Sequence, residues 1–494
     1  MLWTKSSGVP AKLVNWLLVL SIVFALWIVG KRFYAIHIAS TVCPGTAITS
    51  GCEEESIFAL WRTTHGDDAY LPKDSPPYAA TYFNWAFYKT YGAFVGPFWK
   101  QGKEANAIFW ARIFTACIAL AGAGLGVYGF RRVLGENSPW ALSLSIACFV
   151  FTGPLVGWWL VTIRPDVCGL VAETVCIFVF LRYQGSHTRL ACAAAVAGSY
   201  VAWSFKPTCI SGLASICVFL LLRRRWTDVG RILVPTVFIW ALTLAVGGAN
   251  YRNSILDTAT NNSFYLTLGL SNLFAALKAG VPLVILAVSA LVAAKQLPGT
   301  DKHKCLARDA AQLGLIGSMI TTSLMLVASS KLGASPNYFF PAIFMISLWA
   351  AGTLGRKAWE MPSLVFAAAT IILQLGLIFG AWGTLDLRSQ STALAQRWSV
   401  FEKQPEPRFS ADLRLNLPWL NPASPPLMPA YNYASDRNRG VVFKDGGIGG
   451  MIKAGKFNSL LLPTSTNAIF DYASLDNFTR SEVVNDYSVY LFGR

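Results

Sequence analysis

The sequence is short of charge. Asp, Glu, Lys and Arg make up 13% of its 494 residues, well under the quarter or so usual in soluble domains, while apolar residues reach 54%. That excludes a soluble globular protein and leaves a polytopic membrane protein. Acids are the scarcer sign, 25 Asp and Glu against 41 Lys and Arg, a balance of +16. In a soluble chain such an excess would raise nucleic acid as a partner. Here it sits mostly in short loops between apolar runs, as in cytoplasmic loops facing anionic lipid, and no nucleic acid is expected. Histidine is scarce too, and His65 has no second His or Cys at metal-ligand spacing. Eight of the ten cysteines lie in or beside apolar segments, where they read as packing residues. Only Cys43 and Cys52 share a polar stretch, where they stand either paired in a disulfide or free. Repeats and low-complexity tracts are lacking. The first apolar segment lacks a convincing small-residue cleavage site, so it is expected to stay as a transmembrane helix.

What the chain has in abundance is apolar runs of membrane-spanning length. About eleven are expected, centred near residues 24, 118, 149, 174, 197, 215, 240, 288, 320, 344 and 373. With the amino terminus in the cytoplasm, the inside loops carry Arg131 and Arg132, Arg182 and Arg189, Arg223 to Arg225 with Arg231, Lys302, Lys304 and Arg308, and Arg356 with Lys357. The outside connections carry single cations instead: Arg164, Lys206, Arg252, Lys278 and Lys331. That is a positive-inside pattern. Lys31 and Arg32 run against it and are expected to snorkel from the end of a long first helix.

Three regions then face outwards. The first, about 37–105, has helical texture of its own and an aromatic run from Tyr82 to Tyr91, suited to the interface plane. The second is about 250–280. The third is a polar, proline-rich tail in which Val441 to Phe443, Leu460 to Leu462 and Tyr487 to Phe492 read as short strands. The expected architecture is mainly α. A transmembrane domain of about eleven helices, 1–383, includes the first outer loop, and a small α/β extracytoplasmic domain covers 384–494.

The outer loop concentrates the scarce sign. Six acids fall between Glu53 and Asp74, and carboxylates beside a bilayer are costly unless solvated or functional. Glycosyl transfer from a lipid-phosphate sugar needs a base for the acceptor hydroxyl and cations for the leaving phosphate. Carboxylates and lone cations on one membrane face supply both parts.

Several motifs carry a family resemblance. Glu54-Glu55-Ser56-Ile57-Phe58-Ala59 resembles the Asp-Glu element that opens the first outer loop of the GT-C superfamily of membrane glycosyltransferases, which includes the protein O-mannosyltransferases and the lipid A aminoarabinose transferase. Asp74-Ser75-Pro76-Pro77 resembles the family's acidic-x-Pro-Pro turn, with Ser75 where some members have Lys. Arg164-Pro165-Asp166 and Phe205-Lys206-Pro207-Thr208 resemble a family triplet and a lysine element. Gly333 to Phe339 resembles an Asn-Tyr element, and Gly247 to Arg252 opens the second outer loop.

The resemblance implies an inverting transferase that takes a sugar from a polyprenyl-phosphate carrier to a lipid, glycan or protein acceptor, on the periplasmic side of the bacterial inner membrane. Glu54 is the implied base, although Glu53 and Glu55 compete for the assignment, and Glu55 or Asp74 orients the acceptor or the base. Arg164, Lys206, Arg252 and Lys331 are the implied phosphate ligands, with Asp166 and Tyr338 shaping the pocket. No metal or cofactor is expected, a divalent cation being the alternative. The rival functions are a transporter or flippase, which predicts broken spans with midplane charge, and a non-catalytic subunit of an envelope assembly complex.

Each motif also has a plainer reading. The glutamates suit a helix start, Asp67 and Asp68 a turn, and Arg164 with Asp166 a salt bridge at a helix end. Lys206 suits a snorkelling residue and Tyr338 the aromatic belt. Glu173, inside the fourth span, is expected to pair within the bundle, and Asp445-Gly446-Gly447 to form a turn.

Overall fold

The computed structural model of the chain describes residues 11–42, 53–100, 102–136, 138–260, 263–294, 304–355, 359–379, 387–429, 432–465 and 475–493. Cys43 and Cys52, Lys302, Arg356 with Lys357, and the expected domain boundary at 383/384 lie outside the described residues.

In chain order the helices are α1 (Ala11–Val42), α2 (Glu53–Thr64), α3 (Trp85–Trp99), α4 (Glu104–Leu134), α5 (Trp140–Thr152), α6 (Asp166–Tyr183), α7 (Thr188–Phe205), α8 (Ser211–Leu222) and α9 (Trp226–Val246). There follow α10 (Gly248–Thr260), α11 (Leu266–Ala294), α12 (Lys304–Ser329), α13 (Phe340–Leu354), α14 (Glu360–Ile378), α15 (Leu387–Phe401), α16 (Asn432–Asn438) and α17 (Gly447–Lys453). All eleven expected centres fall within these helices. Among the described residues seven helices are long and apolar enough to cross a membrane, and α5 and α8 are shorter apolar ones.

Small residues set how closely the bundle packs. A Cβ at Gly314 of α12 would collide with the Trp349 backbone of α13, and one at Gly352 of α13 with the Ala311 backbone of α12. Backbones this close gain dispersion contacts that larger side chains would block.

The helix ends sort into two groups. At one, the start of α6, the end of α7 and the start of α13 meet through Asp166, Lys206 and Asn337. At the other, Gln184 after α6, Arg223 after α8 and Asp309 of α12 meet, with Gln184 donating to Asp309 Oδ2 and Arg223 to Asp309 Oδ1, both at 2.5 Å. Glu173 accepts hydrogen bonds from Gly212 N (2.9 Å) and Ser211 Oγ (3.2 Å), so it pairs within the bundle at the start of α8.

Arg32 corrects an expectation. Its guanidinium does not snorkel: it is buried and donates to the carbonyls of Thr152 (2.8 Å) and Gly153, capping the end of α5. Exposed Lys31 does the same for Ile378 of α14 at 3.3 Å. A cation at a helix carboxyl end complements the helix dipole, and this holds two positive charges where charge bias alone places none.

Beyond α15 the chain forms a four-stranded sheet of β1 (Arg408–Ser410), β2 (Ser459–Pro463), β3 (Phe478–Val484) and β4 (Tyr487–Phe492), in the order β1-β2-β4-β3. β1 and β2 run parallel and the other pairs antiparallel. The runs at 460–462 and 487–492 are strands as expected. Val441 to Phe443 is not, since Phe443 instead packs its ring against Tyr433 in the core below the sheet.

The segment between α1 and α4 packs into a core shared with the C-terminal region. Ile57, Phe58 and Leu60 of α2 and Phe87, Tyr88, Tyr91 and Val95 of α3 are buried together with Leu417, Leu420 and Met428 from the segment after β1. Turn 74–78 is clasped by the C-terminal region. Lys444 N donates to the Asp74 carbonyl (2.8 Å), Met428 N to Pro77 O (2.8 Å), and Tyr78 Oη to Lys444 O (2.7 Å). Asp67 and Asp68 make the expected turn, with Tyr70 N donating to Asp68 Oδ1 at 3.0 Å. Asp445 and Gly446 both take positive φ in a tight turn before α17.

Candidate active site

Three consecutive glutamates open α2, and the helix separates their roles. Glu53 is fully buried and takes the guanidinium of buried Arg112, with Nε at 3.1 Å from Oε1. The same oxygen accepts the Ile163 N–H at 3.1 Å. Glu53 therefore locks the start of α2 to α4 and to the residue immediately before Arg164. Glu54 is turned elsewhere. Its Oε2 is buried without a hydrogen-bond partner among the described residues, and its charge interacts with Arg414 and Asp412 of the C-terminal region. Burial is the largest influence on it and pushes its carboxyl above the ordinary range, against the pull of its own backbone N–H and of Arg414. Glu55 is buried in the same turn.

Arg414 is held rigidly. Its Nε and Nη2 donate to the two oxygens of buried Asp412, both at 2.8 Å, and Arg397 of α15 adds Nη1 to Asp412 Oδ2 at 2.7 Å. Burial alone would raise the Asp412 carboxyl, but the hydrogen bonds and charge of Arg414 and Arg397 outweigh it and hold that acid below its usual value. A bidentate guanidinium and carboxylate fix each other's plane.

The second cluster is built by prolines. Pro165 precedes α6, so that Asp166 opens the helix, where a carboxylate is favoured. Pro207 forces Lys206 into an extended conformation and ends α7 there. The two side chains meet, with Lys206 Nζ at 2.5 Å from Asp166 Oδ1, and Asn337 Nδ2 reaches the same oxygen at 2.5 Å. Arg164 Nε lies at 3.4 Å from Asp166 Oδ2 and stacks its guanidinium over Phe83, while Lys206 Nζ lies 4.4 Å from the Tyr338 ring centre. Arg164, Asp166, Lys206 and Tyr338 thus converge. Asn337 joins them as a residue that the Asn-Tyr element contains but that was given no role from sequence.

The other expected residues do not line the crevice at this cluster. Arg252 is exposed on α10, without an ion-pair partner among the described residues. Lys331 pairs by backbone with Phe264 and holds Nζ 5.8 Å from that ring. Asp74 sits in the turn clasped by Lys444.

Space around the cations is small. The crevice between Asp166, Lys206, Asn337 and Tyr338 has a volume of about 10 Å³, roughly enough for one water. A separate groove of about 440 Å³ has a lining that includes Tyr70, Trp85, Tyr200, Leu242, Thr243 and Tyr251. Tyr70 Oη donates to Phe83 O (3.0 Å) and Tyr251 Oη to Asn84 Oδ1, and Asn84 Nδ2 bonds Trp203 O (2.9 Å). One wall of the groove is therefore tied to the segment beneath Arg164. Among the described residues no group of three or more His, Cys, Asp or Glu side chains is placed to hold a metal ion.

No protein-family model matches the sequence, and no curated protein sequence does. Solved structures do match. ArnT from Cupriavidus metallidurans in the apo state superposes with a TM-score of 0.60 at 13% identity, covering 96% of this chain and 97% of that one. ArnT from the same organism bound to undecaprenyl phosphate gives 0.56 at 15% identity, covering 94% and 97%. The chain therefore has, over nearly its whole length, the fold of ArnT.

Proposed function

We propose that the protein is an inverting glycosyltransferase that moves a sugar from a polyprenyl-phosphate carrier to a lipid, glycan or protein acceptor on the periplasmic side of the inner membrane. One observation carries the reading: Glu53 bonds Ile163, which anchors the start of α2, the turn that also carries Glu54 with its bare buried oxygen, to the segment of chain that leads into the cationic cluster. Glu54 takes the acceptor proton as the acceptor oxygen attacks the anomeric carbon from the face opposite the phosphate. The bond from that carbon to the phosphate oxygen breaks, the carrier phosphate leaves, and Arg164 and Lys206 meet its growing charge. The proton ends on Glu54. Asp166 and Asn337 hold Lys206, and Tyr338 floors the ammonium. The cluster is nearly filled, so donor phosphate displaces part of the Asp166 network, while the aromatic groove takes the apolar end of the donor. Exposed Arg252 and half-buried Lys331 serve as outer contacts. In this reading residues 1–383 form the membrane domain, its amino terminus in the cytoplasm, and 384–494 lie in the periplasm, supplying Arg414.

Purified protein incubated with a labelled prenyl-phosphate sugar should consume the donor and yield inverted product when acceptor is present. Donor moved between leaflets but not consumed would replace this reading with a flippase, and neither outcome would leave an assembly subunit.

The environment of Glu54 sets the pH dependence. A base must be ionised, and burial raises this carboxyl, so the acid limb of kcat/KM should lie above the value of about 4.3 for a free glutamate. Arg414 opposes that rise. Replacing Arg414 by Gln should move the limb to still higher pH and cost more activity on the acid side than on the plateau. A limb that stays in place would remove Arg414 from the site. Because side-chain cations meet the phosphate, turnover should survive a chelator, and activity abolished by chelation and restored by manganese would overturn that assignment.

A further inference from the structure

The other end of the bundle carries a second built cavity. Between the end of α8 and the start of α12 lies a pocket of about 530 Å³, whose lining includes Leu222, Arg223, Arg308, Gln312, Leu315 and Ile316. From Arg308 to Ser329, where α12 ends beside the cationic cluster's end of the bundle, the helix rise is roughly 30 Å. This pocket cannot belong to the site described above.

Its lining has two parts. One is polar and preorganised, since the Arg223 guanidinium stacks 4.2 Å from the Phe219 ring centre and donates to Asp309 and Gln312, each at 2.5 Å. Arg308 is exposed in the same lining, without an ion-pair partner among the described residues. The rest of the lining is apolar and open, with Leu222 68% and Leu315 41% exposed. The turn that follows Arg223 adds a further sign. Arg224 takes φ +57° in a turn closed by Arg224 N to Leu221 O and Arg225 N to Leu220 O, each at 2.9 Å. Glycine is the residue such a helix-ending turn ordinarily uses, so Arg224 carries a conformational cost there.

We propose that this pocket binds an anionic glycerophospholipid, with the headgroup phosphate against Arg308 and Arg223 and an acyl chain along Leu222, Leu315 and Ile316. Guanidinium forks match phosphate oxygens, and Arg308 supplies the charge that Asp309 does not neutralise. A zwitterionic lipid brings its own cation to the phosphate and gains less from the pocket. A free phosphate could use the arginines but would leave the apolar wall uncovered.

The test is native mass spectrometry of the full chain in detergent, with added phosphatidylglycerol, phosphatidylcholine or inorganic phosphate. Phosphatidylglycerol should be retained at least tenfold better than phosphatidylcholine, and inorganic phosphate should not compete at equal concentration. Arg308→Gln changes an exposed residue, and Leu315→Trp fills the apolar wall of a half-open cavity. Each should bring phosphatidylglycerol down to the level of phosphatidylcholine. Equal retention of the two lipids, a preference surviving in either variant, or displacement of the lipid by inorganic phosphate would overturn the assignment. The result is independent of sugar transfer at the opposite end.

Discussion

Glu54→Gln is expected to lower kcat for sugar transfer by about 10³-fold, within the range a positioned general base contributes, while leaving donor binding nearly unchanged. The amide keeps the shape of the side chain and cannot take a proton. It should not cost stability either. Oε2 of Glu54 is buried without a partner among the described residues, and burial raises its carboxyl, so ionising it in the folded state opposes folding. The sign follows from linkage. An acid whose folded value is raised contributes most stability below its unfolded value and loses it as pH rises through the folded value. The variant should therefore melt at or above the parent temperature, with a gap that widens from acid to neutral pH. Normal turnover by Glu54→Gln would move the base to a neighbour. Lost turnover together with a lower melting temperature would make Glu54 structural.

How far the site was legible depended on distance along the chain. Arg164-Pro165-Asp166 and Lys206-Pro207 could be read because each proline ends or opens a helix beside the charged residue, so local rules place these groups at helix ends. Loop charge then put both ends on one side, and the structure brings them into contact. Arg414 could not be read in this way. It lies in the proline-rich tail, and nothing near it in sequence separates a guanidinium held by Asp412 from a solvated one. Its approach to Glu54 goes with the burial of Leu417 and Leu420 in the same core as Ile57 and Phe58. Arg112 was missed although a signal was present: a lone cation in an apolar helix has to find a buried partner. The same signal at Arg32 was read as snorkelling, because the carbonyls that end α5 are visible only in three dimensions. Glu53, Glu54 and Glu55 are indistinguishable by composition. The helix separates them by pointing successive side chains about 100° apart.

The neighbouring glutamate should behave in the opposite way. Glu53→Leu is expected to destabilise the protein by about 3–5 kcal/mol, the usual result of removing one member of a buried ion pair, because Arg112, only 1% exposed, loses the carboxylate that faces its Nε at 3.1 Å. Arg112→Met should cost a similar amount, since it takes the guanidinium away from the buried carboxylate. The double variant Glu53→Leu with Arg112→Met removes both charges and should regain most of the loss. A residue of about 1–3 kcal/mol should persist, because the Ile163 N–H then has no acceptor. Thermal unfolding of the three variants in one detergent, read as a double-mutant cycle, measures the coupling. Transfer separates the two roles of Glu53. If its bond to Ile163 also aligns Arg164 with Glu54, the double variant should fold yet transfer sugar more slowly than the parent. Single substitutions that cost little, or a double variant no more stable than either single, would show that the pair does not anchor α2. Full activity in a stable double variant would show that anchoring α2 to Ile163 is not what brings the carboxylate and the cations together.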